Sequence, residues 1–312
     1  NYVMQESDTE TDSIEFQVAF SDLAGNAGTA VTALVNDNGV SFDKTAPDFT
    51  NQAIGSSISV RSNNANDNSL VTIGDNIIVT LTSAEALAAG TKPSVNVLGS
   101  AANVSSNVAN TVFTVTYPVD GNEANIANNQ VAYFDIEAGY VDPTGNAGSA
   151  VTQATASFEN ATLVSTDGSY VLYDITPPVF EQVRIKSSNA NDTTLAKAGE
   201  LITLTMVSDT PIKTATKPTI TIANNVIPDG DITRVSNTKF AATYTMQNNA
   251  NDNNYDDPTQ KIPISIVAYD DAAGNTGDAV TNTTNPAESY VVYDNTNPTL
   301  SQVSIASNQD AD

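Results

Sequence analysis

Three copies of one acidic turn constrain this chain more than any other feature. Asp-x-x-Gly-Asn occurs in FSDLAGNAGTAV from Phe20, in YVDPTGNAGSAV from Tyr140 and in YDDAAGNTGDAV from Tyr269. Each copy is followed by a short apolar segment and an exit punctuated by Asp and Pro: VSFDKTAP (Val40 to Pro47), YVLYDITPP (Tyr170 to Pro178) and YVVYDNTNP (Tyr290 to Pro298). Beyond each exit runs an extended segment that closes on an Asn/Asp cluster, at Asp67, Asp192 and Asp312. The exit aspartates Asp43, Asp174 and Asp294 stand 131 and 120 residues apart. That period suits a string of whole domains rather than a solenoid built from units of about 20 to 50 residues.

The repeat predicts the domain organisation. NYVMQES at Asn1 aligns with TYTMQNN at Thr243, so the chain is expected to open midway through one repeat (residues 1–45). Two complete repeats follow, 46–176 and 177–296, and residues 297–312 begin another. The expectation is a window on a longer tandem array. Within each repeat, NIIVTLTS (Asn76 to Ser83), TVFTVTY (Thr111 to Tyr117), LITLTMVS (Leu201 to Ser208), PTITIA (Pro218 to Ala223) and IPISIVAY (Ile262 to Tyr269) alternate apolar residues with Thr or Ser at period two. Such alternation marks half-buried antiparallel strands. Turn signals separate them, and SAEALAAG (Ser83 to Gly90) is the one helix-like piece, predicted to form a turn or two. Seven or more short strands in about 120 residues predict an all-β, two-sheet sandwich.

The ordered motifs DAAGN, a strand, D-x-T-x-P and a fresh SNNAND opening resemble the bacterial immunoglobulin-like repeats of large surface adhesins and of S-layer-type or filament proteins. The resemblance covers the chain as repeats. It implies tandem immunoglobulin-like β-sandwich domains in an extended array, nonenzymatic, extracellular or at the cell surface, and often stiffened by calcium. These repeats are longer than many of that family, with an insertion such as Gln153 to Gly168.

Charge and composition narrow the chemistry. Thirty-six acidic against eleven basic residues give a net charge of −25, which repels phosphate backbones and anionic headgroups, so nucleic acid is excluded as a partner. No apolar run approaches the roughly 20 residues of a bilayer-spanning helix, so no membrane insertion is expected of this segment. The absence of cysteine and histidine removes thiolate nucleophiles, disulfides, the commonest general base and the commonest transition-metal ligands. Grouped carboxylates, amide oxygens and carbonyls remain, the ligand set of calcium, which takes six to eight oxygens at about 2.3–2.6 Å.

One Asp-x-x-Gly-Asn turn offers about three ligands, so others must come from elsewhere. In immunoglobulin order the turn lies at the entry end of its domain and the NAND loop at the exit end. A junction is then expected to gather the NAND loop and exit Asp of one repeat with the turn of the next. The candidate ligands are Asp22 and Asn26, Asp142 and Asn146, and Asp271 and Asn275 in the turns; Asp43, Asp174 and Asp294 at the exits; and Asn66, Asp67, Asn191 and Asp192 in the NAND loops. The same residue types also close hairpin turns without any ion, the Asp side chain forming an Asx-turn. Sequence alone leaves both readings open. Pro47, Pro178 and Pro298 read as structural stops that keep a sheet from continuing past the exit.

Other constellations carry less. Asp256 and Asp257 pair two carboxylates, but a sugar-cleaving cleft needs aromatic platforms, and aromatics make up 6% of the chain. Glycosylation-type tripeptides at Asn103, Asn160, Asn191 and Asn282 are frequent by chance in an Asn-rich sequence. The expected function is therefore a calcium-rigidified stalk of a cell-surface adhesin, its partners neighbouring repeats or identical subunits and a cell-surface or polysaccharide target. The alternative is a self-assembling subunit of a surface filament or S-layer, with strand exchange between subunits.

Overall fold

A computed structural model of the chain describes residues 1–34, 39–124, 126–152 and 165–306. Most of the Gln153–Gly168 insertion, Asn160 and the cluster ending at Asp312 lie outside the described residues. The protein is all-β, with several separate sheets, and divides into two compact units, Asn1–Asp174 and Ile175–Asp312.

In the first unit, strands Ser57–Ser62, Asn76–Thr82, Val112–Pro118 and Asn103–Ser106 form one antiparallel sheet in that spatial order. A second sheet joins Val151–Thr152, Phe134–Ile136, Val95–Val97 and Ser100–Ala101. The alternation read from the sequence is the alternation of burial: in Asn76–Thr82, Ile77, Val79 and Leu81 are buried and the residues between them are half-buried. The second unit repeats the plan, with Phe180–Ser187, Leu201–Ser208, Lys239–Thr245 and Ile232–Arg234 in one sheet and Asn225–Val226, Thr219–Ile222 and Ile264–Val267 in another. In each unit the strand leading to the exit runs parallel to a short early one, Leu172–Tyr173 beside Leu70–Val71 and Val292–Tyr293 beside Leu195–Ala196.

The predicted helical piece at Ser83–Gly90 is instead a bend that passes from one sheet to the other. Leu87 is buried, its N–H donates to the Asn110 carbonyl, and the Ala88 N–H donates to Val141, so tertiary bonds override local helix propensity. The described helices are a single α-turn at Ala250–Asn253 and short 3-10 turns at Gln52–Ile54 and Asp229–Asp231.

Each unit is keyed by the same three aromatic rings. Phe49 meets Phe113 edge-on at 5.9 Å and Tyr140 at 4.9 Å, and Phe180 meets Phe240 edge-on at 6.4 Å and Tyr269 at 4.6 Å. Phe49 and Phe180 stand two residues beyond Pro47 and Pro178, so the segment after each exit proline is anchored in the core of the unit it enters. Buried aromatic contacts of this kind contribute about 0.5–1.5 kcal/mol each beyond area burial.

Candidate metal centre

The Asp-x-x-Gly-Asn turns share one hydrogen-bond scheme. The first residue's N–H donates to the Asn carbonyl at 3.0 Å in Asp22–Asn26 and 3.1 Å in the other two copies. One carboxylate oxygen of the Asp accepts backbone N–H groups of its own loop, and the other accepts the Asn Nδ2 at 2.8 Å in all three. Gly25, Gly145 and Gly274 take φ of +87°, +100° and +97°, a region that a Cβ disfavours.

The second glycine of the motif answers to packing. A Cβ on Gly148 would lie 2.0 Å from the Tyr140 ring and 2.7 Å from the Pro47 carbonyl oxygen; on Gly277 the distances are 2.0 Å to Tyr269 and 2.7 Å to Pro178. The tyrosines then donate their hydroxyls across the turn, Tyr140 to the Ser149 carbonyl and Tyr269 to that of Asp278. The turns at Asp142 and Asp271 are thus the seats on which the Pro47 and Pro178 segments rest.

On this seat the first unit gathers carboxylates. Asp43, Glu85 and Asp142 each bring an oxygen within 4.8 Å of the others. Oxygens on opposite sides of a calcium ion at about 2.4 Å from it stand about 4.8 Å apart, so the set suits an all-oxygen divalent site. Asn146 ties two of the three elements together, its Nδ2 donating to the Asp43 carbonyl at 3.2 Å as well as to Asp142. Glu10 adds a fourth carboxylate, accepting the Lys44 and Thr45 N–H groups and the Thr45 hydroxyl.

Electrostatics separate these groups. Glu85 rises from its ordinary 4.5 to about 7, first through burial and then through Asp43, Asp142 and Glu10. Asp43 is also raised, first by a hydrogen bond with Glu10, then by burial and by the negative charge of Asp142 and Glu10. Glu10 correspondingly falls, chiefly through the same bond. Burial pushes Asp142 upward, but donors from Asn146, Thr144 and Gly145 outweigh it, and the group sits below the usual range. Crowded carboxylates with raised proton affinity are an environment that favours binding a cation.

The other candidate ligands occupy turns. Thr45 and Thr296 donate backbone N–H to Asp43 and Asp294 at 3.0 Å, forming matching Asx-turns. Asp174 donates its N–H to Val71 and Asp294 its N–H to Ala196, so both exits are pinned by backbone bonds. In the NAND loops Asn64 and Asn189 are the organisers: the Asn64 Oδ1 accepts from the N–H groups of Asn66 and Asp67, and the Asn189 Oδ1 from those of Asn191 and Asp192. Asp67 and Asp192 in turn accept the N–H and hydroxyl of Ser69 and Thr194. These loops adjoin the starts of Asn76–Thr82 and Leu201–Ser208, while the acidic turns adjoin the bends that follow those strands, so the two motifs lie at opposite ends of a unit. Asp256 and Asp257 are likewise engaged, by Asn295 and Thr296 and by Thr259.

Glu85 carries no sequence signal of its own, because it lies inside the helix-like stretch Ser83–Gly90. No family model matches the chain, and no curated relative matches it. Among the described residues no helix is long and apolar enough to cross a membrane.

Proposed function

We propose that the chain is a nonenzymatic, extracellular stalk segment of tandem immunoglobulin-like domains, in which calcium at the domain entry stiffens the passage from one repeat into the next. The observation that carries this reading is the meeting of Asp43, from the exit before Pro47, with Glu85 and Asp142 of the repeat that follows. A calcium ion there neutralises the mutual repulsion of the three carboxylates and joins the incoming segment to the turn that seats it. Extension is the function; chemistry on a substrate is not. The family resemblance of the exit and turn motifs supports the same reading, and with it a surface location.

Isothermal titration of the full chain with calcium tests the proposal, with Glu85→Gln as the matched variant because Glu85 closes no turn. The expected result is binding that weakens in the variant, together with scattering dimensions that lengthen and narrow in distribution on calcium addition. Equal calcium affinity in both proteins, or dimensions that ignore EDTA, would refute it.

A further inference from the structure

We propose that the outer face of the main sheet in the second unit is an acceptor surface for a second copy of this chain, which docks the acidic segment 6–15 of its first unit there. The face carries a groove of 710 Å³ lined by Arg184, Lys186, Thr203, Thr205, Lys239 and Glu288, among others. Arg184 and Lys186 are exposed at alternate positions of one strand, about 7 Å apart along it. Lys239 joins them from the strand beyond, opposite Val207.

The chain places these cations against its own trend. Of the eleven basic residues, set against thirty-six acidic ones, five have structural work. Lys44, Lys92, Lys217, Arg234 and Lys261 each donate to backbone carbonyls and tie loops in place. Arg184, Lys186 and Lys239 make no side-chain hydrogen bond or ion pair among the described residues. The first unit shares only one of the three: by register, Ser59 and Val112 stand where Arg184 and Lys239 stand in the second, and Arg61 stands where Lys186 does.

Charge complementarity selects the occupant. The second unit holds eight basic residues against sixteen acidic ones and the first three against twenty, so both are net negative and the complementarity is local to the Arg184, Lys186 and Lys239 patch. Its densest acidic run is ESDTETDSIE, where Glu6, Asp12 and Glu15 are exposed and their carboxylates accept no hydrogen bond among the described residues. Three unpaired anions on one unit and three unpaired cations on the other make a heterologous, head-to-tail contact, which propagates into chains or closes into rings. The three anions of the contact are distinct from the calcium candidates, and Glu10, which lies between them in the segment, stays engaged with Lys44 and Thr45.

Sedimentation velocity of the full chain in EDTA, which removes any divalent bridge, tests the inference. The expected result is a mass that grows with concentration at low salt and returns to monomer at high salt. R184E/K186E/K239E and, separately, E6K/D12K/E15K should each weaken association by at least about tenfold. An equimolar mixture of the two reversed variants should restore it, which a merely unfolded variant would not. A triple variant that associates like the parent, a mixture that stays monomeric, or a parent that is monomeric throughout while its groove binds polygalacturonate would each overturn the second copy as occupant.

Discussion

After its long inner strand the first unit reads Ser83-Ala84-Glu85, and the second reads Ser208-Asp209-Thr210 at the same place. Both bends lead to a buried residue, Leu87 or Ile212, and both lie against the acidic turn. The acid differs in position by one residue and in what surrounds it. Asp209 accepts the Val179 N–H at 2.8 Å and the Thr210 N–H at 2.7 Å, so its charge is absorbed by donors that pin the entering segment. Glu85 accepts no hydrogen bond among the described residues and faces Asp43 and Asp142. One residue of displacement thus separates a structural carboxylate from one whose charge calls for a counter-ion.

The largest effect should come from attacking what the two units share. Gly148→Ala and Gly277→Ala each force a methyl against a buried tyrosine ring on one side and a proline carbonyl on the other. Neither neighbour is the free end of a flexible chain, so each substitution should destabilise its unit by about 3 kcal/mol, as overpacking does. Denaturant unfolding of the full chain should lose a comparable amount of stability in either variant.

Next in size is the difference itself. Replacing Glu85 by its counterpart, Glu85→Thr, removes one charged ligand and should weaken calcium binding at least about tenfold, since charge count tunes such sites over several decades. The reciprocal Thr210→Glu brings a carboxylate toward Asp271 and should make the stability of the second unit respond to calcium. Titration calorimetry reads the first, and melting with and without calcium reads the second.

The pH response should divide the units in a smaller way. Glu85 is raised in the folded state, so between about 4.5 and 7 the folded protein holds the proton that the unfolded chain has released. Stability of the first unit should therefore fall as pH rises through that window and level off above it. The group is only half-buried, so screening by solvent limits the change to on the order of 1 kcal/mol. Glu85→Gln should flatten the fall, as should saturating calcium; an unchanged slope in the variant would assign the effect elsewhere.

Much of this was legible in the sequence, for identifiable reasons. Alternation in Asn76–Thr82 and Leu201–Ser208 is a direct imprint of one buried face, and the spacing of the turns exposed the repeat. Meeting points across the fold left weaker traces. Glu85 sits in an Ala-rich stretch whose local preference is helical, and only bonds to Asn110 and Val141, distant in sequence, hold it as a bend. The work of Asn64 and Asn189 was equally hidden, because in an NAND cluster every Asn and Asp looks alike until the backbone shows which side chain accepts the loop's N–H groups. The second glycine of the turn was visible as a repeated letter, but its reason lies in an aromatic ring eight residues earlier and in a proline from the preceding exit.

That reason predicts the mildest outcome for the remaining copy. A Cβ on Gly28 would meet the Phe20 ring at 2.3 Å, a clash slightly looser than the 2.0 Å of the other turns. Phe20, however, is 56% exposed, whereas Tyr140 and Tyr269 are buried at 5% and 1%. It has no hydroxyl to hold it to a carbonyl, and the three atoms nearest the Gly28 Cβ position all belong to that ring. Its ring can swing into solvent for the price of a rotamer change, about 1 kcal/mol or less. Gly28→Ala should therefore shift the unfolding midpoint far less than Gly148→Ala. Equal losses in the two variants would show that the backbone at this glycine, and not the ring and the proline seat, is what the motif protects.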